Sequence, residues 1–142
     1  MAQNPNLPVG GYQKTERLVH FARMCSKARL MHKGILPEDY HPYIGVGFDG
    51  RCCRLLKVDY EDIKRLVAEG REDLEILEWC YANGYRPNDE EVFIWNLFME
   101  KRGWRDDDSP LVQEEKEAIG LGDRDEIQTL FDLYDYEEGR KE

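Results

Sequence analysis

Four cationic side chains, Arg29, His41, Arg51 and Arg54, have the best claim to chemistry in this sequence. Arg29 falls at the border of the apolar face of a predicted first helix, where a guanidinium needs either a carboxylate partner or a ligand. The segment from Ile35 to Gly50 is rich in Pro and Gly. Folded back over that helix, it would bring the four together as a site for a small anion. The competing structural reading pairs Arg29 with one of the many acids of the later helices, and it is preferred because charged residues are buried only when paired.

Within the same segment, Gly45-Val46-Gly47-Phe48-Asp49-Gly50-Arg51 has the texture of a phosphate-cradling loop. Such loops end in Gly-Lys-Ser/Thr and follow a strand. This one does neither, so its glycines are read as turn formers. Cys52 and Cys53 are adjacent, whereas zinc ligands stand two to four residues apart. Cys25 and Cys80 fall on apolar helix faces and read as small hydrophobes. No metal, cofactor or disulfide is therefore expected. His32 lies in the last turn of the first helix, where a cation suits the dipole, and His20 is placed on the exposed side. Asp106-Asp107-Asp108 lacks the spaced ligands of a calcium loop and precedes a helix start, where acids are favourable. Trp79, Trp95 and Trp104 are expected as core anchors.

The elements that would position these groups are helical. Residues 1–13 read as an extended arm, and 14–142 as a single all-α domain of about six short helices with one irregular Gly/Pro-rich loop at 35–50. The first helix is predicted from about Thr15 to Lys33, with Leu18, Phe21, Ala22, Met24, Cys25, Ala28 and Met31 on one broad face. Arg23 and Lys27 fall opposite, and Val19 and Leu30 form a second, smaller apolar strip. Only a single turn is expected around Cys52, Leu55 and Leu56. Asp59, Glu72, Asn88, Ser109-Pro110 and Asp123 are read as starts of the later helices, and Gly70, Gly84, Gly103 and Gly120 as stops. Between Glu90 and Arg102, apolar residues occupy nearly every side of the helical wheel. Such a helix is either the centre of the core or part of a subunit interface. The central placement is preferred, with Phe93, Trp95, Leu97 and Phe98 buried in the monomer.

The chain of 142 residues is the size of one ordinary domain, with 41% hydrophobic and 35% charged residues and a net charge of −10. The charge is uneven. Residues 1–57 carry nine Lys/Arg against four Asp/Glu, a net of +5, while residues 58–142 carry eleven against twenty-six, a net of −15. Mutual attraction of the two halves within one domain is the simplest account. Overall acidity argues against nucleic-acid binding, which wants a basic surface. There is no secretory leader pattern at the N-terminus, no apolar run near the roughly 20 residues of a membrane span, and no disulfide framework. A cytoplasmic protein without membrane contact is expected.

Several segments carry a family likeness: Gly10-Gly11, Lys27-Ala28-Arg29, Phe48-Asp49, Leu77-Glu78-Trp79, Trp95-Asn96, the run from Ile127 to Asp132, and Glu138-Gly139-Arg140. In these the chain resembles a family of small bacterial proteins known as domain of unknown function five-zero-six-nine. The resemblance covers nearly the whole chain and implies a bacterial, single-domain protein. It brings no activity, cofactor or catalytic residue with it. In the absence of a recognisable catalytic constellation, the function expected is that of a non-enzymatic accessory or protein-interaction module with an unknown protein partner. Its contact region would be the acidic C-terminal half and any exposed apolar surface. The alternative is a small-anion-binding protein or enzyme using Arg29, His41, Arg51 and Arg54 under the 35–50 loop.

Overall fold

A computed structural model describes residues 4–142. It is 56% helical, which settles the class as mainly α in a single domain. The order is a two-stranded antiparallel hairpin, β1 (Lys14–Thr15) and β2 (Leu18–Val19), then α1 (Phe21–His32), a 3-10 helix (Glu38–Tyr43), α2 (Phe48–Leu56) and α3 (Tyr60–Ala68). After these come α4 (Asp73–Asn83), α5 (Asp89–Lys101), α6 (Ser109–Ala118) and α7 (Leu130–Glu137).

Local capping explains the middle of the chain. Capping boxes formed by Asp59 with Asp62, Glu72 with Glu75 and Asn88 with Glu91 start α3, α4 and α5 where the sequence places them. In the last, the Glu91 amide donates to Asn88 Oδ1 and the Asn88 amide donates to Glu91 Oε1, both at 2.9 Å. Gly84 closes α4 against the end of α2. The neighbouring Tyr85 amide donates to the Leu56 carbonyl at 2.8 Å, and a Cβ on Gly84 would fall on that same oxygen.

Elsewhere tertiary partners override the helical pattern. The first helix begins at Phe21, not Thr15, because the chain before it is captured by α5. Asn96 Oδ1 accepts from the Val19 amide at 3.1 Å, and its Nδ2 donates to the Arg17 carbonyl at 2.8 Å. Trp95 Nε1 donates to the Val19 carbonyl at 3.2 Å. The paired strands can then turn through Glu16 at φ 55° and enter α1 through His20 at φ 72°. The irregular segment is shorter than expected: residues 38–43 form a 3-10 helix and α2 starts at Phe48, so the single turn expected there is nine residues long. The last helix starts after Thr129, not at Asp123. Thr129 Oγ1 accepts from the Asp132 amide at 3.1 Å, and the Leu130 amide donates to the Arg102 carbonyl at 2.9 Å. This downstream cap and its tertiary anchor win over the Asp123/Glu126 pair. Of the expected arm, residues 1–3 lie outside the described residues. Pro8, Gly10 and Gly11 are buried against the body of the domain.

The core is built around α1, which packs against α3 and also touches α2 and α4. Phe21, Met24, Cys25, Cys52, Leu56, Ile63, Leu66, Ile76, Leu77, Cys80, Met99 and Phe131 are fully buried. A satellite cluster of Val112, Ile127, Leu130 and Leu133 joins α6 to α7. Trp95 anchors the core, but Trp104 is exposed and Trp79 is only half-buried. The expectation for α5 is corrected in the same way. Val92, Trp95 and Met99 face inward, while Phe93, Ile94, Leu97 and Phe98 are 59%, 57%, 40% and 39% exposed. The reason is that α5 meets the rest of the domain chiefly through β2 and α7, and Val92, Trp95 and Met99 are the residues it buries there.

Candidate functional site

Of the cations on α1, Arg23 and Lys27 are the buried ones, at 4% and 6% exposed. They sit between the two apolar strips of a helix that is covered on nearly every side. Arg23 meets Glu138 in a bidentate pair, with both nitrogen–oxygen distances 2.8 Å. Tyr40 also donates to Glu138, at 2.6 Å. Arg140 bridges Glu138 and Asp135, and donates to the Pro8 carbonyl at 3.0 Å. Arg23 further donates to the Val9 carbonyl at 3.0 Å and lies 4.1 Å over the ring of Tyr134. One buried carboxylate thus fastens the N-terminal arm, α1, the 3-10 helix and the C-terminus to each other.

One turn further along α1, Lys27 Nζ pairs with Asp49 Oδ2 at 2.8 Å. His20 Nε2 lies 2.8 Å from Asp49 Oδ1. Because an ionised carboxylate only accepts, Nε2 carries a proton in this contact. The Gly45 amide completes the set at 3.1 Å from Asp49 Oδ2. The His20 ring is stacked on Phe131 and meets Phe48 edge-on, and its Nδ1 has no hydrogen-bond partner among the described residues. Burial pushes the His20 pKa down, and Asp49 only partly reverses this. For Asp49 burial pushes upward, but His20 and Lys27 more than reverse it, so its carboxyl lies below the usual value. Glu138 behaves alike: burial raises it, and Arg23, Tyr40 and Arg140 bring it below the ordinary range.

The network is balanced, with Arg23, Lys27 and Arg140 set against Asp49, Asp135 and Glu138. Every one of these charges is spent within the chain, leaving none unpaired for a ligand. The pairs that join the basic N-terminal part to the acidic remainder are Arg23 on Glu138, Arg17 on Asp89 and Arg29 on Asp73.

The four side chains singled out in the sequence, Arg29, His41, Arg51 and Arg54, lie elsewhere. Arg29 is two-thirds covered, pairs with Asp73 and donates to the Arg71 carbonyl at 3.2 Å. His41 Nε2 lies 3.0 Å from the Leu36 carbonyl. Arg51 lies 5.1 Å over the ring of Phe98. Arg54 lines a cleft of about 380 Å³ with Lys57, Asp59, Asp62 and Trp79. Among the described residues, no hydrogen bond or ion pair brings Arg29 or His41 together with Arg51 and Arg54. A second cleft, about 570 Å³, runs between α1 and α3 past Met31, His32, Tyr60 and Lys64.

The other chemical candidates are accounted for by packing. All four cysteines are free and buried. Burial pushes the Cys53 and Cys80 thiols up to about 12, and Cys25 and Cys52 well above their usual value, so they pack as apolar groups. Asp106, Asp107 and Asp108 all pair with Arg102. Among the described residues no group of His, Cys, Asp and Glu is placed to hold a metal ion, and no helix is long and apolar enough to cross a membrane.

Nearly the whole chain, residues 6–140, matches the family described as Domain of unknown function (DUF5069). The chain belongs to that family. No curated protein matches it. In this DUF5069 chain, the segments that carry the resemblance supply the network and the hairpin clamp: Gly10-Gly11, Lys27, Asp49, Trp95-Asn96, Asp132 and Glu138-Arg140.

What sequence reasoning missed is that His20, Arg23 and Lys27 are interior. The wheel had assigned them to solvent. The available signal was the second apolar strip of Val19 and Leu30, since a helix contacted on two sides leaves little room for a solvated face.

Proposed function

We propose that this chain is a non-enzymatic accessory or protein-interaction module of the bacterial cytoplasm, and that it meets its protein partner through the outer face of α5. The observation that carries this reading is the pairing of an inward-facing, charge-balanced polar network with an outward-facing apolar stripe. Phe93, Ile94, Leu97 and Phe98 recur on one side of α5, two of them more than half exposed. Trp104, just beyond the end of α5 in the acidic half of the chain, is 42% exposed as well. Isolated exposed hydrophobes are ordinary on a protein surface; a run of aromatic and aliphatic side chains along one helix marks a contact region. Aromatic residues are also the groups enriched where protein interfaces concentrate their binding energy. The overall acidity weighs against a nucleic-acid partner.

Site-specific photo-crosslinking tests the proposal. A photoreactive phenylalanine analogue is placed at Phe93, and in a second variant at Tyr43, which is 66% exposed and belongs to the 3-10 helix. Irradiation in the cells that encode the chain should give a discrete protein adduct from position 93 and none from position 43. Equal, background-level crosslinking from both positions would overturn the reading.

A further inference from the structure

We infer that the occupant of the α5 face is a second copy of this chain, packed antiparallel about a two-fold axis that passes between Trp95 and Asn96. This rests on the reading of α5 as the contact surface and adds the identity of the partner. At 3.6 residues per turn, Glu90, Phe93, Ile94, Leu97, Phe98 and Lys101 share one side of the helix. Glu90 and Lys101 are both exposed, and neither makes an ion pair among the described residues. The stripe therefore runs over about 16 Å, at 1.5 Å per residue, from an unpaired acid through four apolar groups to an unpaired base. The order is symmetric. Glu90 and Lys101, Phe93 and Phe98, and Ile94 and Leu97 are three pairs with one common midpoint.

Antiparallel packing about that midpoint brings Glu90 of each copy to Lys101 of the other. It also sets Phe93 on Phe98 and Ile94 on Leu97, each contact made twice. An isologous interface needs this self-complementarity. Parallel packing would instead set Glu90 on Glu90 and Lys101 on Lys101. Arg51, 5.1 Å over Phe98, is a further cation near the Lys101 end, partly offset by Asp107. The four apolar side chains offer on the order of 400 Å² per copy, so the stripe alone is smaller than a standard stable interface of roughly 800 Å² per partner. The association is accordingly reversible, with dissociation in the micromolar range.

Sedimentation equilibrium from about 1 to 300 μM, with circular dichroism to verify folding, tests the inference on wild type, Glu90→Lys, Lys101→Glu and the double variant. Wild type should show a monomer–dimer equilibrium. Each single charge reversal should weaken it about tenfold, by opposing like charges twice, and the double reversal should restore it to within about threefold. A wild type that stays monomeric to 300 μM overturns self-association. A dimer unchanged by the single reversals, or not recovered in the double variant, overturns the antiparallel register. The photo-crosslink at Phe93 separates the two levels. An adduct with a different protein, alongside a monomeric wild type, overturns the self-pairing and leaves the contact surface standing. Absence of any adduct, alongside a monomeric wild type, overturns both.

Discussion

Replacing Glu138 with Gln removes one negative charge from the centre of the buried network and almost no volume. In the wild type, the Glu138 side chain is 2% exposed and that of Arg23 is 5% exposed. Both carboxylate oxygens accept from the Arg23 guanidinium, and Tyr40 and Arg140 donate to the same group. Glutamine offers one oxygen, and its amide turns two further N–H groups toward the Arg23 and Arg140 donors. Asp135 cannot take over because it is engaged by Arg140 Nε at 2.6 Å. Arg23 is then left charged, buried and without its counter-ion, which costs about 3–5 kcal/mol. Against a total of about 5–15 kcal/mol, that is a large share of the folding free energy. Urea unfolding followed by tryptophan fluorescence reads it directly. The midpoint of Glu138→Gln should fall while the slope stays at the wild-type value. Glu114→Gln, at an exposed position on α6, should stay within about 0.5 kcal/mol. A Glu138→Gln midpoint within about 1 kcal/mol of wild type would refute the reasoning that this carboxylate fastens the termini to α1.

The remaining predictions follow from the same packing. Because the His20 pKa is lowered on folding, the unfolded chain takes up its proton first, so the His20 contribution to stability is present above about pH 6.5 and declines as pH falls below it, while Glu137, raised by burial to about 7, acts in the opposite sense over the same range. Asp49 and Glu138, also lowered, add a further loss in the ordinary carboxylate range and below. The decline just below pH 6.5 should be absent in His20→Gln, and a slope unchanged by that substitution, measured by urea melts at several pH values, would contradict it. Gly84→Ala should destabilise by at least about 1–3 kcal/mol, since the new Cβ meets the Leu56 carbonyl oxygen, which cannot swing aside; a melting temperature equal to wild type would contradict the close approach. Phe98→Ala should change the unfolding free energy of the monomer, measured at low micromolar concentration, by no more than about 1 kcal/mol. A loss of about 3–5 kcal/mol, as for a buried phenylalanine, would mean that Phe98 belongs to the core.

The parts of the fold legible in the sequence are those fixed by neighbours in the chain. Asp59, Glu72 and Asn88 start their helices through side chains three residues away, and Gly70 ends α3 with φ 82°, a conformation that favours glycine. The parts misread are those fixed across the chain. Asn96 and Trp95 bind the backbone of residues 17 and 19 and hold the hairpin out of the first helix. Arg102 takes the Leu130 amide and delays α7. The buried network escaped the sequence reading for the same reason. Arg29 drew notice because it bordered an apolar face, yet its partner Asp73 lies at the partly exposed start of α4. Arg23 and Lys27 looked solvated, yet Glu138 and Asp49 reach them from far along the chain. Periodicity reports that a residue has a different environment from its neighbours on the wheel; it does not report which environment is water. The same ambiguity governs α5, where an all-round apolar wheel fits a central helix and an interface helix equally well.

The central claim, that the outer face of α5 is covered by protein in the working state, is tested most directly by hydroxyl-radical footprinting read out by mass spectrometry. Modification of Phe93, Leu97 and Phe98 is compared between intact cells and purified protein at nanomolar dilution, with the exposed Tyr43 as an internal reference. All three should become several-fold less reactive in cells while Tyr43 does not change. Equal reactivity of the three residues in both states would contradict it.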